Sequence, residues 1–556
     1  MANLLKQLTS KFHKPAVLEL DLARGVLDIR PQNPLQALQL TNATTMATLR
    51  QVLGAAAEED NIKGLIVHAA PGGVPLHLLD EIALEIERFG EHKPTAAWSE
   101  SFGELAPSLG LFKMATAAQQ VWVQPTGMLT LAGIEAQITL LKGGLNKLGI
   151  DPEFSQRHEY KSAGETYAGD EVSEANREMM TAIVESLVDD AVQTIARRRG
   201  MEPDVVRNAV DDSPICAENA LDVGLIDHIG YRDEAYEALL KEWGAEPEEL
   251  RYVARHKPAP DIPAIITKRK RKKIARVNIH GGIVTGRGTG KNIGSDVVDE
   301  HLRAAIRDDD VIAVILDVDS PGGSAVASDF IRRSVLQVKD SGKKVVARMG
   351  QYAASGGYYV SMGADEIVAL PTTLTGSIGV VGGKLVTNRL FEKIGVIRES
   401  VTVDRGARVM SDAHPMDENS WMRLNRWLDR VYRDFTSMAA EDRGMEYEKL
   451  EAVARGRVWT GAQALELGLV DYLGGHRVAN ERAALLAGVD VNDVEFATVD
   501  PTGLLAKFMP AASSETIGAA GGAQAMSAET LLTAALAELG IHADGALSMP
   551  WRIAVR

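Results

Sequence analysis

Val311-Ile312-Ala313-Val314-Ile315-Leu316, running on into Ser320-Pro321-Gly322-Gly323-Ser324, is the stretch whose reading decides the fold. An apolar, largely β-branched run without polar alternation predicts a strand covered on both faces, as in a parallel sheet. The Pro-Gly-Gly turn ends it, and Ala327 to Val338 follows with helical spacing. The same succession occurs earlier, as Leu65-Ile66-Val67, then Pro71-Gly72-Gly73, then a helical pattern from Leu76 to Phe89. Strand, turn and helix in that order are units of a parallel α/β sheet.

The repetition extends well beyond these units. Moved forward by 246 positions, Lys147-Leu148-Gly149-Ile150 falls on Lys393-Ile394-Gly395-Val396, and Pro125-Thr126 on Pro371-Thr372. At an offset of 244, Arg199-Gly200-Met201 matches Arg443-Gly444-Met445 and Gly224-Leu225-Ile226-Asp227 matches Gly468-Leu469-Val470-Asp471. Two copies at so long a period mean tandem domains, not a solenoid. Before each Arg-Gly-Met lies a long helical stretch, Ser173 to Arg199 and Glu418 to Arg443, whose apolar stripe is expected to serve packing. In the 246 register Ser355 lies over Leu109 and Lys161 under Ala407. If that serine and that lysine work together, neither copy does the chemistry alone.

The chain of 556 residues has the 45% hydrophobic and 24% charged composition of a globular protein with ample core. With 60 basic and 76 acidic side chains the net charge is −16, which argues against nucleic acid as a partner. A single cysteine, Cys216, excludes an intrachain disulfide framework and a thiolate zinc site. The first residues, with Leu4, Leu5 and Leu8 among lysines, are too short in apolar run for a signal sequence, and no stretch reaches the roughly 18 apolar residues of a membrane span. The expected location is cytoplasmic or peripheral to a membrane.

The expected organisation is a first copy over 1–255, a Pro-rich and basic linker over 256–275, a second copy over 276–500 and a low-complexity tail over 501–556. The basic run Lys268 to Lys273 is read first as a solvated linker and second as a contact for an anionic membrane or an acidic partner. Ala511 to Ala528 has the composition of a tether, with a short helix expected over Ser527 to Leu539.

Ala354-Ser355-Gly356-Gly357 entering an apolar stretch lifts a serine hydroxyl to a helix start, where backbone N–H groups favour an oxyanion. Small residues also serve tight helix packing, so this motif alone leaves both readings open. Ser320-Pro321-Gly322-Gly323 offers further N–H groups, or is a plain β-turn before a helix. A serine needs a base at neutral pH. None of the 12 histidines has metal or triad spacing, although His280 stands beside Gly281-Gly282. A lysine substitutes when burial depresses its pKa, and Lys161, among Tyr160, Ser162, Ala163 and Gly164, lies outside any exposed charge pattern.

Together, Asp319-Ser320-Pro321-Gly322-Gly323-Ser324, Ala354-Ser355-Gly356-Gly357-Tyr358, Leu374-Thr375-Gly376-Ser377-Ile378-Gly379-Val380 and Tyr160-Lys161-Ser162-Ala163 resemble the signal peptide peptidase A (protease IV) family in its long duplicated form. The resemblance covers about residues 15 to 490. It implies tandem Clp/crotonase-like domains built from repeated ββα units with helical extensions. It also implies a Ser/Lys serine peptidase with Ser355 as nucleophile, Lys161 as base, and N–H groups of Gly356 and of Gly322 or Gly323 as the oxyanion hole. No cofactor or metal is implied, the partner is an extended apolar peptide such as a signal-peptide remnant, and the assembly is a homotetramer. Ser377 is read as a turn residue before a lysine-orienting one. Asp319 stands where the family usually shows asparagine, adding a charge beside the presumed substrate strand, and the long form's N-terminal anchor is not seen. The competing readings are a crotonase-like acyl-CoA enzyme, which needs a catalytic carboxylate, and a non-catalytic oligomeric scaffold.

Overall fold

Both apolar runs lie inside strands, and both are followed by the expected helices. The computed structural model describes residues 15–28, 43–70, 73–104, 106–258, 271–288, 292–498 and 547–548. Their chain forms two compact units, one within Met1–Glu135 and Leu187–Arg269, the other within Ala136–Ser186 and Lys270–Ala554.

In the first unit a six-stranded, wholly parallel sheet runs His228–Ile229, β4 (Gln120–Val123), β3 (Thr95–Ser99), β2 (Ile62–His68), β1 (Ala16–Asp21), Leu250–Tyr252. Leu65, Ile66 and Val67 are fully buried in β2, as a strand covered on both faces requires. Helix α1 (Leu76–Gly90) buries Leu79, Ile82, Ala83, Ile86 and Phe89, the stripe expected of a helix lying on a sheet. A short helix, α2 (Leu109–Ala115), follows β3.

The second unit repeats this on a larger scale. Its main sheet runs β14 (Val458–Thr460), β12 (Leu374–Gly376), β10 (Lys344–Ala354), β8 (Val311–Ser320), β6 (Lys272–His280), β15 (Val494–Thr498), with β11 (Glu366–Ala369) also on β10. All these pairs are parallel except β12 with β14. A smaller sheet places β9 (Gly322–Gly323) between β7 (Gly282–Val284) and β16 (Leu547–Ser548), the latter antiparallel. Helix α4 (Ala325–Asp340) follows the Gly-Gly turn and α5 (Gly356–Met362) follows β10. The long helix α6 (Glu418–Asp442) buries Leu424, Leu428, Tyr432, Phe435 and Ala439, so its stripe is indeed packing.

The compact units do not follow the sequence copies. Ala136–Ser186, which the copy boundaries assign to the first domain, belongs with the second unit. The cause is β5 (Asp151–Gln156), paired antiparallel along its whole length with β13 (Val381–Val386), from Gln156 opposite Val381 to Asp151 opposite Val386. Side chains reinforce the ladder: the Glu153 carboxylate accepts the Met416 N–H at 2.9 Å, and Ser155 Oγ meets Asn425 Oδ1 at 2.8 Å. The expected linker also ends early, because Lys272 and Lys273 already belong to β6 and Lys273 Nζ reaches Asp308 at 2.9 Å. The expected helix over Ser527 to Leu539 and the tether over Ala511 to Ala528 lie outside the described residues. Among the described residues no helix is long and apolar enough to cross a membrane.

The duplication is preserved to the level of one ion pair. In the first unit Arg199 donates to both Asp227 oxygens at 2.8 Å and to the Gly224 carbonyl, while Asp227 accepts the Val121 N–H at 2.7 Å. In the second, Arg443 donates to Asp471 at 2.6 and 3.0 Å and to the Gly468 carbonyl, while Asp471 accepts the Ile367 N–H at 2.7 Å. Each pair ties the end of a long helix to a sheet edge. We predict that Arg443→Ala lowers unfolding free energy by about 1.5–3 kcal/mol, the usual worth of hydrogen bonds to a charged group, read as a lower urea midpoint.

Candidate active site

Strand β10 delivers Ser355 to the point where it gives way to α5. The residue has φ 55° and ψ −112°, a conformation that a non-glycine side chain seldom adopts. Two backbone bonds hold it there: its N–H donates to the Gly376 carbonyl at 2.8 Å, and its carbonyl accepts the Tyr359 N–H at 2.9 Å. The turn aims the hydroxyl away from strand and helix alike, toward Lys161.

Lys161 comes from the segment between β5 and α3 (Ala163–Ala168). Its Nζ lies 2.8 Å from Ser355 Oγ, 3.0 Å from the Ser377 carbonyl oxygen and 2.9 Å from Ser377 Oγ. Lys161, Ser355 and Ser377 are all fully buried. Burial, with no carboxylate to offset it, pushes the lysine from 10.5 down to about 7. A neutral amine has two N–H bonds and one lone pair. With both Ser377 oxygens accepting the N–H groups, the lone pair is left facing the Ser355 hydroxyl. Ser377 therefore turns its hydroxyl to the lysine, where the sequence had favoured a plain turn residue.

No motif marks Gly456 as part of the site. It has φ +85°, its N–H donates to the Ile378 carbonyl at 2.9 Å, and a Cβ there would sit 2.5 Å from Lys161 Cβ and from Lys161 N. Only glycine lets the chain close so tightly over the lysine.

The Gly-Gly turn lies against the serine. A Cβ on Gly356 would fall 3.1 Å from Gly322 Cα and 3.1 Å from Gly323 N. Gly322 N–H donates to Ser320 Oγ at 3.1 Å, and that hydroxyl donates to the Gly281 carbonyl at 2.7 Å. Of the two glycines, Gly323 is thus the one whose N–H no side chain in its own turn takes. Asp319, expected beside a substrate strand, accepts the Tyr352 N–H at 2.9 Å instead, across the irregularity in the β8–β10 ladder. Its carboxylate repairs the backbone where the extra residues of β10 leave a donor without a strand partner.

The first unit corrects the alignment by one residue. Ser108, not Leu109, precedes α2 as Ser355 precedes α5: its N–H donates to the Thr130 carbonyl at 2.9 Å and its carbonyl accepts the Phe112 N–H at 3.0 Å. The backbone there is ordinary, with φ −139°, and the hydroxyl donates to the Phe102 carbonyl. The space in front is an apolar pocket of about 320 Å³ lined by Val74, Leu76, Leu79, Leu109, Leu111 and Ile134.

Fold and site together define an α/β protein with a serine–lysine pair. The model of Peptidase family S49 matches residues 88–246 and 337–490, and the chain belongs to that family. It is 30% identical over 444 residues to the chloroplastic serine protease SPPA of Arabidopsis thaliana, covering 79% of this chain and 65% of that one. It is 31% identical to Protease 4 of Salmonella typhi, covering 74% and 66%. A putative protease of Synechocystis is 38% identical over 41% of this chain and 80% of its own length. The chain thus spans just under two thirds of the first two relatives. Among solved structures, ClpP1 of Listeria monocytogenes aligns with 39% of this chain at 16% identity and a TM-score of 0.25.

We predict that Gly456→Ala, by displacing Lys161, slows labelling of Ser355 by a fluorophosphonate about 100-fold, the scale of a 1 Å misplacement at a reacting centre. Ser377→Ala is expected to slow labelling less, since one of the two oxygens holding the amine remains.

Proposed function

We propose that the chain is a serine endopeptidase that cuts extended, apolar peptides such as signal-peptide remnants. The observation that carries this reading is the 2.8 Å contact between Ser355 Oγ and an amine that is buried without a counter-charge. Ser355 Oγ adds to the peptide carbonyl carbon as its proton passes to Lys161 Nζ. The proton is then given to the leaving amine as the C–N bond breaks, leaving an acyl ester on Ser355. Water, deprotonated by the same amine, hydrolyses the ester. The N–H groups of Gly356 and Gly323 are assigned to the developing oxyanion, with Gly322 shaping the turn.

Substrate adds as a strand beside β9, a mode in which backbone bonds give affinity and side-chain pockets give selectivity. Support comes from the chain itself: Ser548 and Leu547 pair antiparallel with Gly322 and Gly323. The same reading includes assembly of copies into a ring, the tetramer of the resemblance, and leaves peripheral membrane contact through the basic run as its location.

Lys161→Ala is expected to lower kcat/KM for a fluorogenic peptide by about 10²–10⁴-fold, the range for loss of a general base, and Ser355→Ala to abolish turnover. Because the working form is the neutral amine, kcat/KM should rise with pH through one ionisation near 7 and stay high above it. A profile still climbing at pH 10 would mean the lysine keeps an ordinary pKa. Ending the chain at Gly540 should lower KM with kcat unchanged, if residues 547–548 share the substrate strand.

A further inference from the structure

Three consecutive residues touch the supports of every group in the candidate site. Gly456 lies against Lys161, the Arg457 carbonyl accepts the Ser377 N–H at 2.7 Å, and Val458 pairs with Gly376, whose own carbonyl holds the Ser355 N–H. Gly379 closes the lysine stem from another side: a Cβ there would fall 3.2 Å from Lys161 Cδ and 2.7 Å from Gly456 Cα. The segment that ends in Lys161 thus crosses the segment that enters β14 with no room for a side chain at Gly456. Around the crossing Ser377, Arg455 and His158 have φ values of 50°, 51° and 64°. Non-glycine backbone of this kind persists only where its neighbours hold it.

Two arginines pin the crossing. Arg455 reaches Glu159 at 2.9 and 3.0 Å and Glu451 at 3.2 Å, but its side chain is 34% exposed and that of Glu159 43%, so water screens the pair and it contributes little. Arg457 is only 16% exposed. Its guanidinium carbon lies 4.8 Å from the centre of the Tyr160 ring and 4.4 Å from that of Trp459, and Nη1 donates to Glu178 at 2.8 Å. Both rings are fixed in turn, Tyr160 Oη donating to Glu178 at 2.9 Å and Trp459 Nε1 to the Val453 carbonyl at 2.8 Å. A planar cation against two ring faces is a contact that lysine does not reproduce. Through Tyr160 the arginine grips the residue before Lys161, and through its own carbonyl it grips Ser377.

The titratable groups at the crossing are His158, Glu159, Tyr160 and Glu178 from one segment and its neighbouring helix, and Tyr432, Glu451, Arg455 and Arg457 from the other side. None of them shifts the lysine, whose ionisation is set by burial alone. What the crossing supplies is therefore exclusion of water. We propose that Arg457 is a positioning residue: its guanidinium, stacked on Tyr160 and Trp459, keeps the crossing shut over Lys161 and holds Ser377 against the amine. The inference rests on the reading of Lys161 as the base of a peptidase.

The test is the pH dependence of fluorophosphonate labelling at Ser355, followed by intact mass on the full chain. In the wild-type chain the rate should rise through one midpoint near 7. In Arg457→Leu water reaches the amine, and the midpoint should move up by about one unit or more. Labelling is then about tenfold slower below both midpoints, yet returns to within about twofold of wild type above the new one. Arg457→Lys, which keeps the pair with Glu178 and loses the plane, should shift in the same direction. So should Tyr160→Leu, which removes one ring without touching the arginine, so the result does not hinge on the folding of one variant. Arg455→Leu should leave the midpoint in place. An arginine that serves folding alone would lower the rate by one factor at every pH. That pattern, an unmoved midpoint in the Arg457 variants, or an equal shift in Arg455→Leu overturns the proposal. Peptide turnover on the same samples separates the two readings. A wild-type chain that labels with a midpoint near 7 but cuts no peptide counts against the peptidase reading alone, and a wild-type chain that does not label overturns both. Wild-type turnover with unmoved midpoints in the variants overturns this inference alone.

Discussion

An amine that stays uncharged near neutral pH is the constraint from which the rest of the second unit follows. Water stabilises an ammonium so strongly that only removal from water, with no carboxylate in its place, brings a lysine from 10.5 to about 7. Lys161 meets that condition by being wholly enclosed, and enclosure needs material on every side. The β5–β13 ladder brings the segment in, Gly456 lets the backbone close over it, and the two Ser377 oxygens orient what is left. Elsewhere the same protein shows the opposite solution. Lys113, equally buried, is held by Asp80 at 2.7 Å and by Asp190, and its pKa is raised, because the two carboxylates outweigh the cost of burial. Burial gives two lysines opposite acidities according to whether a carboxylate is present.

The serine carries the complementary constraint. A hydroxyl that must face both an amine and a substrate carbonyl has to leave the line of its strand, and the left-handed turn at Ser355 does this at a conformational cost. The cost is sustained by neighbours fixed in turn. Asp319 secures the Tyr352 N–H where β10 departs from its ladder, Ser320 secures Gly322, and the Gly376 carbonyl secures Ser355 itself. In the first unit, where Ser108 has an ordinary φ and its hydroxyl is donated to a backbone carbonyl, none of this strain is present. A serine at the right topological position is therefore not enough; the turn beneath it must also be distorted.

Much of this was legible in the sequence, because it rests on local periodicity. The apolar runs lie inside strands, and the helices begin and end within a residue or two of where spacing put them. Ser355 and Lys161, picked out by short motifs, are the two residues that the fold brings together. What was not legible depends on closure in space. A loop longer by one residue between α2 and β4 than between α5 and β11 moved Leu109 onto Ser355, although the helix starts show that Ser108 belongs there. Gly456 lies almost 300 positions from the lysine it covers, and no local pattern marks it. The hydroxyl of Ser377 was ambiguous because a serine in a turn looks the same whether it bonds its own backbone or a distant amine.

The boundary between compact units is the most consequential of these departures. A duplicated gene gives two equal copies, but Ala136–Ser186 has been taken over by the second unit. That transfer completes one site and strips the other copy of the same support. It also breaks the symmetry of the chain, since the second copy's counterpart of β5, Ile397–Thr402, pairs with no strand among the described residues. An unpaired edge with exposed isoleucine and valine is a hazard for aggregation unless a defined partner covers it. One duplication thus accounts for the internal lysine–serine contact: Ala407 and Ser108 hold the counterpart places in the two copies, and neither has the chemistry or the distorted turn that Lys161 and Ser355 have.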